Sequence, residues 1–260
     1  MRKRFPLSEK DLYGLYWLKR LSTYEIAKLT GFSQSAIHYW MKKYRIKGRR
    51  SGESHCKRVN LNFSPTFAYI LGVCYGDGSV HRVWSRHLGR YRYEVSLDVR
   101  NKKFAEAFKK ALEEHGFKVR LYLYNGWSYL FANSKTFYEY FHTLTMNDLK
   151  YMLENDGLAK AFIRGFYESE GCYCLCYQKK WDTFEKILCI YNTNLRLLKL
   201  IRECFKKWGL EFHIYARPQI GTWRRVYALQ TAREKQIDHF LRLIKPSIKY
   251  KPSSKRLGLR

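Results

Sequence analysis

Two short stretches of this chain repeat one pattern, and that repetition restricts the available folds more than any other feature. Residues 70–78 read ILGVCYGDG and residues 163–171 read IRGFYESEG, each an apolar run ending on an acid followed by glycine. The terminal acids, Asp77 and Glu170, lie 93 residues apart, and Gly116 and Gly209 share that spacing. An internal duplication beginning near Leu61 is therefore expected. Within each run small residues fall four apart, Gly72 with Gly76 and Gly165 with Ser169. On a helix they form a flat stripe that lets two backbones approach closely. Pairing the two helices would carry both acids to one end. Two carboxylates side by side repel unless a cation lies between them, and hard oxygen donors favour Mg²⁺. Two buried helices with glycine caps would explain the apolar runs but not the acids at matched positions.

The flanking sequence repeats as well. After Gly78 the pattern predicts strands at 79–84 and 91–99, a helix at 102–115, a hairpin at 118–132 turning at Asn125 and Gly126, and a helix from Lys135. After Gly171 the order recurs, with a strand, a second strand ending at Tyr191, a helix at 195–208, a hairpin at 211–230 and a helix from Arg233. The expectation is an α+β fold, a pseudo-twofold duplicated αββαββα core with two antiparallel sheets, its halves at 61–150 and 151–260.

Period-two alternation divides the strands into faces. Tyr91, Tyr93, Val95, Leu97 and Val99 are expected to point to a core, leaving Arg92, Glu94, Ser96 and Asp98 outside. Val119, Leu121 and Leu123 likewise turn inward, while Arg120, Tyr122 and Tyr124 turn out. In the second half Phe212 and Ile214 face in, and His213, Tyr215 and Arg217 face out. Outer faces of this polar, basic and aromatic character suit hydrogen bonding to base edges in a major groove. Cys172, Cys174 and Cys176 alternate onto one strand face; zinc sites commonly use a two-residue spacer, so a small-residue face is the expectation there.

Ahead of the duplication, residues 1–50 read as a small all-α domain, followed by a basic linker at 51–60. A first helix covers 12–21; Ser22 with Glu25 forms a capping box for a second that ends at Gly31; Ser33 caps a third running to about Tyr44. Ile26, Leu29, Ile37, Trp40 and Tyr44 are expected on inward faces. The segment STYEIAKLTGFSQSAIHYWMKK resembles helix-turn-helix units. That resemblance implies a third helix presenting Gln34, Ser35, His38, Tyr39, Lys42 and Lys43 to a major groove. Arg45, Lys47, Arg49 and Arg50 follow at once and would track phosphates.

Composition narrows the partner. Lys and Arg number 50 against 22 Asp and Glu, a formal net charge of +28, which predicts a polyanion. No apolar run reaches the roughly 18 residues of a spanning helix. The start MRKRFPLSEK lacks a signal peptide's apolar run. An intracellular, cytoplasmic protein is expected, with no membrane partner. Seven cysteines, an odd number, fit a reducing compartment better than a disulfide framework. Aromatic residues make up 17% of the chain, 22 of them Tyr, and exposed rings stack on single-stranded bases, so RNA stays open as a partner.

The paired runs resemble the two motifs of the LAGLIDADG homing endonucleases, most closely the monomeric archaeal type, over roughly residues 62–250. Gly72 and Gly165 match the motif's glycine, and Asp77 and Glu170 match its metal-binding acid. The resemblance implies a monomeric, Mg²⁺-dependent endonuclease that hydrolyses both strands of double-stranded DNA at a long target site, intron-encoded or otherwise mobile. It further implies polar or basic residues after the second strand of each half, here Asn101 and Lys102, then Asn192 and Thr193, with Asn192 also on the DNA side. Lys251, after the last helix, is another basic candidate. Glu168 would be structural, and Tyr75 replaces an acid common at its motif position. The alternative is a non-catalytic binder, either an intron-splicing maturase acting on intron RNA or a transcriptional regulator.

Overall fold

The structure, a computed structural model, describes residues 7–18, 21–46, 59–178, 182–218, 221–222 and 224–253. Lys47, Arg49, Arg50 and residues 51–58 of the expected linker lie outside the described residues. The chain divides between residues 57 and 58 into two compact units.

The first unit contains α1 (Glu9–Tyr13), running on as a π-helical stretch (Gly14–Leu18), then α2 (Thr23–Thr30) and α3 (Gln34–Lys43). Ser8 and Ser22 each close a capping box, with Asp11 and Glu25, and Ser33 caps α3. Gly31 ends α2 in the left-handed region (φ 71°), where glycine is favoured. Leu12, Tyr16, Ile26, Ala27, Ile37, Met41 and Ile46 form the small core. Leu29, expected inside, is 66% exposed, because the buried stripe of this short helix is filled by Ile26 and Ala27.

The second unit opens with α4 (Pro65–Tyr75), then β1 (Ser79–Ser85), β2 (Arg90–Val99), α5 (Lys102–Glu114), β3 (Val119–Tyr124), β4 (Trp127–Asn133) and α6 (Lys135–Thr143). Following α7 (Met146–Glu154), the series repeats as α8 (Asp156–Glu170), β5 (Gly171–Gln178), β6 (Thr183–Asn192), α9 (Leu195–Lys207), β7 (His213–Ala216), β8 (Tyr227–Thr231) and α10 (Glu234–Ile244). Both sheets are antiparallel, with matching strand orders β1-β2-β4-β3 and β5-β6-β8-β7. One core joins the halves: Val95, Leu97 and Leu130 from the first sheet, Leu188, Ile190 and Leu229 from the second, with Phe67, Phe108, Phe162, Phe166, Phe205 and Phe240 from the helices between.

Two elements escape the pattern. Helix α7 spans the expected boundary at 150, and α8 begins seven residues before the apolar motif run, at a start capped by the Asn155 side chain. Leu123 and Tyr91, expected in the core, are 61% and 47% exposed because the hairpins project beyond the helices that cover the sheets. Among the described residues no helix is long and apolar enough to cross a membrane.

Candidate active site and nucleic-acid interface

The two motif helices pack backbone to backbone. A Cβ added to Gly72 would lie 2.1 Å from the carbonyl oxygen of Phe162, and one on Gly165 would lie 2.4 Å from that of Tyr69. At the acid end Gly76 faces Ser169 and the Cγ of Glu170, which an added Cβ would approach to 2.4 and 3.2 Å. The small-residue stripe is thus what brings α4 against α8, and the close approach leads directly to the segment carrying Asp77.

Asp77 is exposed and Glu170 is partly buried at the C-terminal end of α8. Burial, and then the negative charge of Asp77, push the Glu170 carboxyl up to about 7. Two features oppose the shift: Asn192 Nδ2 donates to Glu170 Oε1 at 3.1 Å, and the Lys249 ammonium is nearby. Lys249 itself is partly buried, which lowers its pKa, while Asp77, Cys172, Glu170 and Glu168 pull the other way. Its Nζ donates to the carbonyl oxygen of Ser169, and its own carbonyl accepts from the Tyr167 hydroxyl at 2.8 Å. An exposed and a half-buried carboxylate that repel one another supply hard oxygen donors, as a divalent cation requires. Among the described residues no group of three or more His, Cys, Asp or Glu could hold a metal ion.

Behind the site Glu168 is fully buried. It accepts from the Tyr69 hydroxyl at 2.6 Å and from Ser247 N and Oγ at 2.6 and 2.7 Å, with Arg164 Nε at 3.6 Å. The side chain ties α8 to α4 and to the segment after α10 that delivers Lys249. Its counterpart one repeat earlier is Tyr75, which packs on Phe141 and Phe162 at 5.2 and 5.9 Å between ring centroids.

Several expected site residues have other work. Asn101 caps α5, its Oδ1 accepting from Phe104 N at 3.1 Å, and Asn194, 93 residues on, caps α9 in the same way. Asn101 is therefore matched by Asn194, not by Asn192. Lys102 is exposed on the first turn of α5 and pairs with Glu106 at 3.7 Å. Lys251 is exposed, and the lysine beside the acids is Lys249. An extended segment alternates its side chains, and the left-handed backbone of Lys249 (φ 58°) is a break that no adjacent glycine or proline announces. Asn192, expected to read DNA, lies one step out of phase with the outer face and points at Glu170.

The outer sheet faces carry the rest. On the first sheet Arg92, Glu94, Ser96, Asp98, Arg120, Tyr122 and Tyr124 share the face turned from the helices. Glu94 and Ser96 are only 4% and 6% exposed, however. The Tyr129 hydroxyl donates to Glu94 at 2.8 Å, Arg92 pairs with Glu94 at 3.8 Å, and Phe131, opposite Ser96, stacks on Tyr122. These neighbours cover the middle of the face, leaving Arg92, Asp98, Arg120, Tyr122 and Tyr124 reachable, with the Tyr124 hydroxyl donating to Asp98 at 2.8 Å. On the second sheet His213 and Tyr215 are exposed, and Arg217 donates to the Tyr191 hydroxyl at 2.9 Å. In the first unit Gln34 Nε2 donates to Thr23 Oγ1 at 3.0 Å and His38 lies 3.4 Å from the same oxygen, while Ser35, Tyr39, Lys42 and Lys43 of α3 are exposed.

Residues 157–245 match a family model described as a LAGLIDADG-like domain. The uncharacterised protein MJ0314 of Methanocaldococcus jannaschii is 34% identical over 186 residues, covering 67% of this chain and 68% of that protein. A second uncharacterised protein of that organism, MJ0398, is 25% identical over 244 residues, covering 87% and 82%. Among solved structures, I-DmoI in complex with DNA and Mn superposes with a TM-score of 0.53 at 23% identity, covering 70% of this chain and 97% of that one. Full-length DUF199/WhiA from Thermotoga maritima superposes with a TM-score of 0.50 at 16% identity, covering 74% and 60%. At these identities the structural likenesses establish a shared fold.

Proposed function

This chain belongs to the LAGLIDADG-like family, and we propose that it is a sequence-specific DNA endonuclease that uses a divalent cation, Mg²⁺ by preference, to hydrolyse both strands of a long duplex site. One observation carries the reading: the duplication brings Asp77 and Glu170, the paired acids, to one end of the α4–α8 pair, with an acid-repelled, half-buried Glu170 and a half-buried lysine beside them. I-DmoI, named a homing endonuclease and solved with DNA and Mn, shares the fold. Both acids reside in one chain, so a monomer suffices.

Asp77 and Glu170 are the residues that would hold the cation, which when bound activates water and neutralises charge on the scissile phosphate. Asn192 fixes the orientation of the Glu170 carboxylate by its hydrogen bond. Lys249 places a positive charge beside both acids, where it offsets their repulsion and attracts a phosphate. Arg92, Arg120, Tyr122, Tyr124, His213, Tyr215 and Arg217 supply donors and rings for the groove, and the net positive charge supplies non-specific affinity for phosphates. Helix α3, with Ser35, Lys42 and Lys43 exposed, adds a further major-groove contact.

The separate N-terminal unit favours a second reading, in which the protein binds nucleic acid without cutting it, as a transcriptional regulator or a splicing maturase on intron RNA. Incubating the protein with Mg²⁺ and a library of long duplexes, then sequencing the ends, separates the two. Discrete double-strand ends at one sequence support the nuclease; intact duplexes with selective retention support the binder.

A further inference from the structure

Four cysteines gather on one patch of the second sheet. Cys172, Cys174 and Cys176 of β5 share the face turned away from the helices, and Cys189 of β6 lies directly opposite Cys172. One repeat earlier the same places hold Ser79, His81, Val83 and Ser96, so the thiols belong to the second half alone. Cys174 Sγ is 3.6 Å from Cys176 Sγ. The Cys189 thiol donates to the carbonyl oxygen of Cys172 at 3.6 Å. Cys172 and Cys176 are partly exposed, whereas Cys174 and Cys189 are buried.

Four small apolar side chains would pack here without any chemistry. Backbone geometry nevertheless singles out one pair. A disulfide needs Cα atoms about 4.4–6.8 Å apart. Residues directly opposite on antiparallel strands are about 4.5–5.5 Å apart, well inside that range. Residues two apart on one strand are about 6.8 Å apart, at its limit. Cys172 and Cys189 can close with little movement, whereas Cys174 and Cys176 lie at the edge of the range.

We propose that Cys172 and Cys189 form a reversible disulfide, a modification site for small-molecule disulfides such as oxidised glutathione, and that its closure slows DNA cleavage. The Cys172 thiolate attacks one sulfur of the small disulfide, forming a mixed disulfide and releasing one small thiol. Cys189 gives its proton to solvent, and its sulfur displaces the second small thiol, leaving the Cys172–Cys189 bond. The two protein thiols lose two electrons and the small disulfide gains them. The cross-link grips the strands where they flank the site: β5 begins immediately after Glu170, and β6 ends at Asn192, the hydrogen-bond partner of Glu170. Bond formation goes beyond the nuclease reading and needs no part of it, while the effect on cutting rests on that reading.

The test treats the full chain with oxidised glutathione, blocks the remaining thiols, and maps the peptides by mass. A Cys172–Cys189 link, lighter by two hydrogen atoms and opened by dithiothreitol, is expected. No link, a persistent glutathione adduct, or a Cys174–Cys176 link would overturn the site. Cross-linked protein should cut duplex DNA about tenfold more slowly or worse, with recovery on reduction. Cys189→Ser should cut equally under both conditions, and Cys176→Ser, which keeps both partners, should still cross-link and still slow. Equal cutting by fully linked and reduced protein would overturn the regulatory part. If the reduced protein cuts no duplex the nuclease reading fails, and the peptide map still decides the thiol pair.

Discussion

The backbone of Gly72 lies so close to the carbonyl of Phe162 that a Cβ placed on Gly72 would sit 2.1 Å from that oxygen. Neither partner is the tip of a flexible side chain, so Gly72→Ala must force α4 and α8 apart. Overpacking of this kind costs about 1–3 kcal/mol. The variant should unfold at lower denaturant than the wild type, and, because the same helix pair carries the acids, should cut more slowly even where it is folded. Unchanged stability would mean the helices are not packed through this contact.

Tyr69→Phe isolates one bond to the buried Glu168 carboxylate. The Arg164 guanidinium stacks over the Tyr69 ring at 4.8 Å and would stack on phenylalanine equally, so the loss reports the hydroxyl. A hydrogen bond to a charged group is worth about 1.5–3 kcal/mol. Denaturant unfolding should show a loss of that order. Cutting should also slow, since Glu168 holds Ser247 and through it the segment bearing Lys249.

With its carboxyl held up to about 7, Glu170 keeps a proton in the folded chain that it has already released in the unfolded chain. Stability from that source is present below the ordinary carboxylate range and is lost as pH rises through about 7. In metal-free buffer the melting temperature should therefore fall between pH 5 and pH 8 by more in the wild type than in Glu170→Gln. Added Mg²⁺ should raise it more at pH 8, where no proton has to be displaced, than at pH 5. Parallel pH curves for wild type and variant would contradict this placement of Glu170.

Much of this architecture is legible in the sequence, because a 93-residue repeat of apolar runs, turns and acids fixes element order twice over. Ser22, Ser33 and Gly31 mark helix ends by local chemistry, and Gly72 and Gly165 announce a close helix pair. What period-two alternation cannot reveal is what covers a face. Glu94 and Ser96 are on the side expected, yet Tyr129, Phe131 and Arg92 close over that surface. The place of Lys249 beside the acids is hidden for a related reason, since the segment after α10 is ordered by Glu168 from a distant helix and by left-handed lysines at 245 and 249. Asn101 and Asn192 both follow a strand, but cap geometry pairs Asn101 with Asn194.

The N-terminal unit has its own core, so a chain beginning at Arg58 should fold without it. If α3 enters a major groove, that shortened chain should protect a footprint trimmed at one end. It should also bind more weakly, by roughly 1–3 kcal/mol per base pair lost. Single-turnover cutting of bound duplex should survive, because neither Asp77 nor Glu170 lies in the removed segment. Footprints of equal length would assign the unit to another partner.

The account depends above all on Asp77 and Glu170 holding a cation and not bases. Asp77→Asn and Glu170→Gln should each be compared with wild type for duplex affinity in Ca²⁺, which is expected to support binding without cutting, and for double-strand cleavage in Mg²⁺ on the same site. Affinity close to wild type with double-strand cleavage abolished in both variants is the predicted result. Undiminished cutting by either variant would contradict the two-carboxylate mechanism.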